Sequence, residues 1–421
     1  MAKKTTKKTS TRSSKSTLPA APITLKEFKA RRQKVARLLK DRAGVVFAGE
    51  HSASLRGDWE PTVEFLYLTG IADEPGAALL LDPSHPNPRR REVLLLRSRD
   101  PEDEAWHGIR EGLSPELRDR IGVGTVFRTN RLNWLLTEAA ARTGRLATLH
   151  EPKPAPARVN PDLAAYRLAA ERVPGVAIDS AWREFYQLIA AKSPAERALV
   201  QKAIDATLAG VRAAATEIRP GANEGAVVRT LQATFAENGG EGNAFNPIAG
   251  SGVNATVLRY GANNRVMEDG DMLVLDSGTK FAGYCADITR TFPVNGRFNS
   301  TQADAYEIVL KAMRASIKAC TVGTWMHDVD MAAREIIDKA GYGHAFYHGI
   351  GHHLGISVHD VDPKTPLRKD AIVTIEPGIY LPEENIGIRI EDDILVTSGA
   401  PANMSKALPV DRKGVEALMR G

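Results

Sequence analysis

The chain has 421 residues, of which 43% are apolar and 25% charged, so it can fold into more than one domain of ordinary globular composition. No stretch approaches the roughly eighteen uncharged apolar residues of a membrane helix, and we expect no membrane contact. Two cysteines are too few for a disulfide scaffold and have no zinc-ligand spacing, which favours a reducing, cytoplasmic setting.

The net charge of +5 is concentrated at the start of the chain. Six lysine and arginine side chains lie within the first 15 residues. Residues 1–22 are almost free of large apolar side chains, which predicts a disordered basic tail. No apolar segment follows these charges, so we expect no secretory signal. We expect no specific nucleic-acid binding.

Residues 23–190 are predicted to form an N-terminal α/β domain, because helical patterns alternate with strand-like runs. We expect a helix over residues 23–40. Strands are predicted at residues 44–48, 77–81 and 92–96. We place the domain boundary near Ala190.

Residues 191–421 are predicted to form a second domain whose first helix has a clear start. Ser193, Pro194 and Glu196 match a capping box with proline at the first helical position. The helix–turn–helix pattern of residues 194–238 recurs at residues 302–339, and two acids on strands follow each copy. We therefore expect a pseudo-twofold α+β domain with its site between the halves.

Those acids lie in apolar, strand-like runs. Asp276 and Asp287 are equidistant from a turn that we place between residues 281 and 282. In the same way, Glu376 and Glu391 are equidistant from a turn that we place between residues 383 and 384. Facing hairpin residues have Cβ atoms roughly 4.5–5.5 Å apart, so each pair needs a neutralising partner. An arginine partner or a turn cap would explain one such acid. For four acids, with too few basic residues in the same strands, metal binding is favoured.

Five of the ten histidines fall between His344 and His359. A single histidine in a glycine-rich loop usually forms structural hydrogen bonds, but five beside an acid-rich region indicate chemistry. Four carboxylates with one imidazole form an oxygen-rich site that suits manganese, cobalt or zinc. Two such ions, about 3.5–4 Å apart, would use that many charges.

Several motifs, in the same order and spacing, resemble those of the creatinase-like "pita-bread" metallopeptidases. They are VLDSG at 274–278, ADITRTF at 286–292, HGIGHHLG at 348–355, VHD at 358–360, TIEPG at 374–378 and GIRIEDD at 387–393. EFKARRQ at 27–33, FLYLTGIADEPGAALLL at 65–81 and DEAWHGIREG at 103–112 are most similar to the aminopeptidase P group. The resemblance implies a C-terminal pita-bread catalytic domain and an N-terminal α/β creatinase-like domain.

The resemblance also implies a metal-dependent Xaa-Pro aminopeptidase, which releases an N-terminal residue that precedes proline. Asp276 and Asp287 would bind one ion and His352 and Glu376 the other, with Asp287 and Glu391 bridging both. A hydroxide between the two divalent ions, with Mn²⁺ expected before Co²⁺ or Zn²⁺, would attack the scissile carbonyl. Glu376 would relay the proton to the leaving nitrogen.

Further roles follow from the same resemblance. His348 and His359 would position substrate and stabilise the oxyanion, with loop stabilisation as the alternative. Tyr380 and Arg389 would orient the metal ligands. Trp106 would be an aromatic residue supplied to the substrate site by a neighbouring subunit of a homodimer or homotetramer, or an ordinary buried tryptophan.

Arg259 stands where the family usually has histidine, and arginine cannot shuttle a proton. It is expected to contact the substrate carboxylate, or else to turn outward and pair with an acid such as Glu268. Two other functions stay open: a Xaa-Pro dipeptidase, and a metal-free binding module. The complete N-terminal domain argues against the dipeptidase, and the complete ligand set argues against the module.

Overall fold

The computed structural model describes residues 23–50 and 59–420. The predicted disordered tail, residues 1–22, lies outside the described residues. Within these described ranges, no helix has both the length and the apolar character needed to cross a membrane.

The N-terminal part contains a mixed sheet with an apolar cluster on each face. Its strands are β1 (Gly44–Phe47), β2 (Ala78–Leu81), β3 (Glu92–Leu96) and β4 (Thr125–Arg128), with a separate parallel pair β5 (Arg145–Thr148) and β6 (Ala177–Ser180). β1, β2 and β3 pair antiparallel, and β4 joins β3 in parallel. Alternate residues of β2 and β3 enter the two different clusters, as strand geometry requires. The three predicted strands are confirmed.

Helices accompany the sheet, and among the described residues all but the third of them bury side chains in these clusters. They are α1 (Leu25–Leu39), α2 (Val63–Thr69), α3 (Pro101–His107), α4 (Pro115–Ile121), α5 (Leu132–Thr143), α6 (Pro161–Ala170) and α7 (Trp182–Ala190). The predicted helix over residues 23–40 is confirmed as α1. The domain boundary near Ala190 stays a prediction.

The C-terminal part is built around two helix pairs. Its helices are α8 (Pro194–Ala215), α9 (Glu224–Glu237), α10 (Ser300–Ala319), α11 (Met326–Lys339) and α12 (Arg412–Leu418). The predicted capping box is confirmed, because the Glu196 amide donates to Ser193 Oγ at 3.2 Å and the Ser193 amide donates to Glu196 Oε2 at 2.8 Å. α8 packs on α9 and α10 packs on α11, as the repeat predicts.

Short antiparallel strands follow each helix pair along the chain. They are β7 (Ile248–Ser251), β8 (Met272–Ser277), β9 (Lys280–Phe281), β10 (Tyr284–Cys285), β11 (Ile288–Pro293), β12 (Ile372–Ile375), β13 (Gly378–Leu381), β14 (Ile386–Arg389), β15 (Asp392–Leu395) and β16 (Ala402–Asn403). The strand orders are β11-β8-β7 and β12-β15-β16, and β13 pairs with β14. All residues of β8 and β11 are buried, so polar side chains on them face the protein interior.

The predicted register of the first acid-bearing hairpin is wrong. Thr289, not Asp287, lies opposite Asp276. The hairpin turns at Ala282 and Gly283, whose φ values of 49° and 77° are both positive, as in a two-residue type I′ turn. The turn therefore lies one residue later than predicted, and the register moves by two residues.

The second hairpin has the predicted register. β13 pairs with β14 so that Tyr380 faces Gly387, which centres the connection between residues 383 and 384. Glu376 and Glu391 lie just outside this ladder, where β12 gives way to β13 and β14 to β15. Both side chains are thereby placed at the breaks between two ladders.

Candidate metal centre

A cleft of about 510 Å³ in the C-terminal part brings together most of the predicted site residues. Its walls include Arg259, Asp276, Asp287, His348, His352, His359, Glu376, Arg389 and Glu391. Phe245, Ile248, Leu258 and Val358 give the same cleft an apolar portion. Tyr380 is not part of the lining, but its hydroxyl contacts the wall residues His348 and Arg389.

His352 presents a free ring nitrogen to the acids. Its Nδ1 lies 3.1 Å from the carbonyl oxygen of His353, which can only accept, so Nδ1 carries the hydrogen. Nε2 is therefore an acceptor, and it lies 3.5 Å from Asp287 Oδ2 and 3.6 Å from Glu376 Oε1. Burial lowers the pKa of His352 to about 4, so the ring is neutral near pH 7. Metal-ligating histidines commonly show this orientation.

Three carboxylates in the same cleft have unpartnered oxygens. Asp276 Oδ1, Asp287 Oδ1 and Glu391 Oε1 are buried and have no hydrogen-bond partner among the described residues. Ligand atoms of Asp287, His352 and Glu391 lie within 4.8 Å of one another. Burial, and then repulsion by Glu391, raises the pKa of Asp287 well above its usual range. This donor set fits a divalent cation, which would neutralise the buried charges.

Glu391 and Glu376 complete the acidic floor of the cleft. Burial, followed by repulsion from Glu376 and Asp276, raises the pKa of Glu391 well above its usual range. Burial raises the pKa of Glu376 to about 7, although Arg389 opposes the shift. Without a cation, part of the floor therefore holds protons.

A continuous hydrogen-bond chain runs from Asp276 to His348. Arg389 donates to Asp276 Oδ2 at 2.6 Å and to Tyr380 Oη at 2.8 Å, and Tyr380 Oη lies 2.8 Å from His348 Nε2. His348 Nδ1 lies 2.8 Å from the carbonyl oxygen of Gly349. That oxygen only accepts, so Nδ1 donates to it and Nε2 accepts from the tyrosine hydroxyl. Both ring nitrogens of His348 are therefore engaged by the protein.

His359 is positioned differently from His348. Its ring packs against that of His352, with centroids 4.3 Å apart at 59°, and its side chain is exposed. Partial burial of the ring, and after it the charge of Arg259, lowers the pKa of His359. Its ring nitrogens have no hydrogen bond to the described residues, so they are free for a ligand.

Arg259 also faces the cleft. It forms no hydrogen bond or ion pair with any described residue, and Glu268 lies instead 3.4 Å from Arg265. The alternative that Arg259 turns outward to pair with Glu268 is therefore wrong.

Trp106 is not part of the cleft within one chain. It lies on α3 and is 82% exposed, so the alternative of an ordinary buried tryptophan is wrong. Its contribution to the site of a neighbouring subunit stays a prediction.

Two threonines that we did not predict also support the site. Thr289 Oγ1 donates to Glu391 Oε2 at 2.7 Å, and Thr374 Oγ1 accepts from the His352 amide at 3.0 Å. Each threonine lies two residues from a predicted ligand, Thr289 after Asp287 and Thr374 before Glu376. Because residues i and i+2 of an extended segment share a face, this spacing could have identified both.

Comparisons with known proteins match both parts of the chain. A family model for metallopeptidase family M24 matches residues 198–398, and one for the aminopeptidase P N-terminal domain matches residues 28–147. The chain is 31% identical to Xaa-Pro aminopeptidase of Escherichia coli, over 94% of this chain and 98% of the relative.

A solved structure and a second relative extend the comparison. The structure of proline aminopeptidase P II from Yersinia pestis is 28% identical and superposes with a TM-score of 0.81, covering 94% of this chain and 100% of that one. A Xaa-Pro dipeptidase of Pyrococcus horikoshii is 36% identical, but over only 51% of this chain and 62% of the relative. The similarity to aminopeptidases therefore extends through both parts of the chain.

Proposed function

This chain belongs to the aminopeptidase P group of the M24 metallopeptidases, and on that premise we propose which residues hold its metal and cleave its substrate. It is a metal-dependent Xaa-Pro aminopeptidase that acts on peptides with proline at the second position. The expected pita-bread catalytic domain with an N-terminal creatinase-like domain is confirmed. The dipeptidase and binding-module alternatives are not favoured.

We propose that Asp276, Asp287, His352, Glu376 and Glu391 would hold two divalent ions. One observation carries this assignment: the acceptor nitrogen of His352 lies 3.5 Å from Asp287 Oδ2 and 3.6 Å from Glu376 Oε1, in a cleft whose walls also include three acids with a buried carboxylate oxygen that has no hydrogen-bond partner among the described residues. The oxygen-rich donor set favours manganese, with cobalt or zinc as alternatives.

The chemistry of cleavage divides between the ions and the side chains. Bound divalent ions polarise a carbonyl and yield a water-derived nucleophile near neutral pH. Glu376 accepts the proton of the attacking water and delivers it to the proline nitrogen as the C–N bond breaks. Arg389 fixes Asp276, and Thr289 fixes Glu391.

We assign different roles to His348 and His359. Because both ring nitrogens of His348 are engaged, we assign it to the wall that positions substrate, held there by Tyr380 and Arg389. His359 has unengaged ring nitrogens beside His352, so we assign it the stabilisation of the developing oxyanion.

We further propose a homodimer or homotetramer in the cytoplasm. Trp106 and Ile109 are 82% and 84% exposed, and such large apolar side chains suit an interface with another subunit. The two cysteines, Cys285 and Cys320, are free and buried, which suits a reducing compartment.

Metal analysis combined with a peptide assay tests the function. We expect the purified protein to carry divalent metal and to cleave Xaa-Pro-Yaa, but not the matched Xaa-Ala-Yaa. Chelation should abolish turnover, and added Mn²⁺ should restore it. Full turnover after complete removal of metal, or equal cleavage of the two peptides, would contradict the proposal.

A further inference from the structure

Arg259 is an unused cation on the wall of the cleft. The backbone around it is anchored, because the Tyr260 amide donates to the Val257 carbonyl at 3.2 Å and Tyr260 Oη donates to the buried Glu224 at 2.8 Å. The other arginine of the described cleft, Arg389, is buried and already binds Asp276 and Tyr380. The guanidinium of Arg259 is exposed and free to contact a ligand.

The charged residues of the cleft lie at different depths, because the acids are less exposed than Arg259. The acids, which would hold the cations, form the floor, and an aminopeptidase must place the first peptide bond there. The leaving part of the substrate therefore extends outward, toward the exposed side chains of the cleft, of which Arg259 is one. An Xaa-Pro dipeptide spans only about 7 Å, so its carboxylate remains inside or at the rim of a cleft of this size.

The charge of Arg259 lies in the cleft that holds the proposed metal centre. The side chain lines the same cleft as His359 and Glu376. The guanidinium is thus within electrostatic reach of the place where substrate is cleaved.

We propose that Arg259 binds the C-terminal carboxylate of the shortest substrates, Xaa-Pro and Xaa-Pro-Yaa, and thereby favours them over longer peptides. This inference rests on the proposed function. The guanidinium offers parallel donors that match a carboxylate in a bidentate pair. A peptide longer than Xaa-Pro-Yaa presents only neutral amides at the depths of these two carboxylates, and an amide accepts a weaker hydrogen bond.

The kind of contact sets the size of the expected discrimination, and the exposure of the guanidinium sets its salt dependence. A charge-assisted contact of this kind discriminates on the order of 10-fold between a free acid and its amide. Because the side chain is exposed, salt screens the contact. We therefore expect the discrimination to shrink as ionic strength rises.

The test compares kcat/KM for free-acid and C-terminally amidated forms of Xaa-Pro and Xaa-Pro-Yaa. The variants are Arg259→Gln and Arg259→Lys, with Arg229→Gln as the matched control. Arg229 is an exposed arginine on α9 outside the cleft, so its substitution removes the same charge from the same domain.

We expect the preference for the free acid, about 10-fold in the parent, to fall to near unity in Arg259→Gln. It should be partly retained in Arg259→Lys and unchanged in Arg229→Gln. The same ratio in all four proteins, with turnover intact, would overturn the carboxylate subsite alone. A parent enzyme without turnover on any Xaa-Pro substrate would overturn the proposed function, and this subsite with it.

Discussion

Lys192 and Asp360 form a buried ion pair in which Lys192 Nζ lies 2.7 Å from Asp360 Oδ2. The pair joins the start of the C-terminal part to the residue that follows His359. The two side chains are only 1% and 0% exposed. Gly355 packs directly against them, since a Cβ atom there would lie 2.2 Å from Asp360 Oδ2 and 2.5 Å from Lys192 Cε. The pair therefore ties the loop that carries His359 to the segment between the two parts.

Breaking this pair should be costly. Lys192→Met leaves the Asp360 carboxylate buried without its cation, and such a change costs about 3–5 kcal/mol of the free energy of unfolding. A second substitution, Asp360→Asn, should recover part of the loss because it removes the uncompensated charge. Denaturant unfolding of the single and double variants measures both effects.

Lys364→Met is the control for this prediction. Lys364 pairs with Asp362 at 2.9 Å in the same region of the chain, but the two side chains are 54% and 41% exposed. Its substitution should cost less than about 1 kcal/mol. Equal losses in Lys192→Met and Lys364→Met would show that burial of the first pair has no energetic consequence.

Two of the proposed metal ligands, Asp287 and Glu391, give a second prediction. Asp287→Asn or Glu391→Gln keeps the side-chain shape but removes the charge, so metal content should fall and turnover should decrease by more than about 100-fold. Asp362→Asn, at a partly exposed acid outside the donor set, should change neither quantity. Metal analysis and kcat on Xaa-Pro-Yaa measure the outcome. Metal content and kcat near those of the parent in both Asp287→Asn and Glu391→Gln would refute the assignment.

Thr289→Val should weaken metal binding without removing a ligand. Its hydroxyl holds Glu391 Oε2 at 2.7 Å, and loss of such an orienting hydrogen bond typically costs about 10- to 100-fold in metal affinity. Thr207→Val is the control, because Thr207 is equally buried but donates to the Ala203 carbonyl on α8. Metal titration should separate the two variants, and identical affinities would argue against an orienting role for Thr289.

The stability of the N-terminal part should depend on the pair Glu64 and His150. His150 Nδ1 lies 3.1 Å from Glu64 Oε1, and Tyr186 Oη donates to the same oxygen at 2.6 Å. Burial acts to lower the pKa of His150, but the hydrogen bond and charge of Glu64 outweigh it, so the net pKa is raised. The pKa of His150 is thus higher in the folded state than in the unfolded state, where it is about 6.5. Protonated His150 therefore stabilises the fold fully below about pH 6.5, and this contribution is lost as pH rises through the folded pKa.

We therefore expect the free energy of unfolding to decrease above about pH 6.5, by about 1.4 kcal/mol for each unit by which the folded pKa exceeds the unfolded one. His150→Gln should lack this part of the pH dependence. His327→Gln, at an exposed histidine on α11, should retain it. Parallel pH profiles for His150→Gln and the parent, measured by denaturant unfolding, would exclude the pair as the cause.

Local patterns in the sequence determined much of the architecture. The capping box at Ser193 and the register of the second hairpin were predictable because helix starts and strand alternation depend on residues close in the chain. The first hairpin shows the limit of such patterns. Its turn falls at Ala282 and Gly283, which take the positive φ values of a type I′ turn, and that one-residue difference moved Asp287 away from Asp276.

Only the tertiary structure decided which distant side chains meet. Lys192 and Asp360 are 168 residues apart, and Arg389 reaches Asp276 across 113 residues. Neither pair follows from periodicity or spacing, because each depends on how separate elements pack. The same packing leaves His352 with a free acceptor nitrogen while His348 has none. The motifs indicated which residues carry the chemistry, and packing set the hydrogen bonds that give each histidine its role.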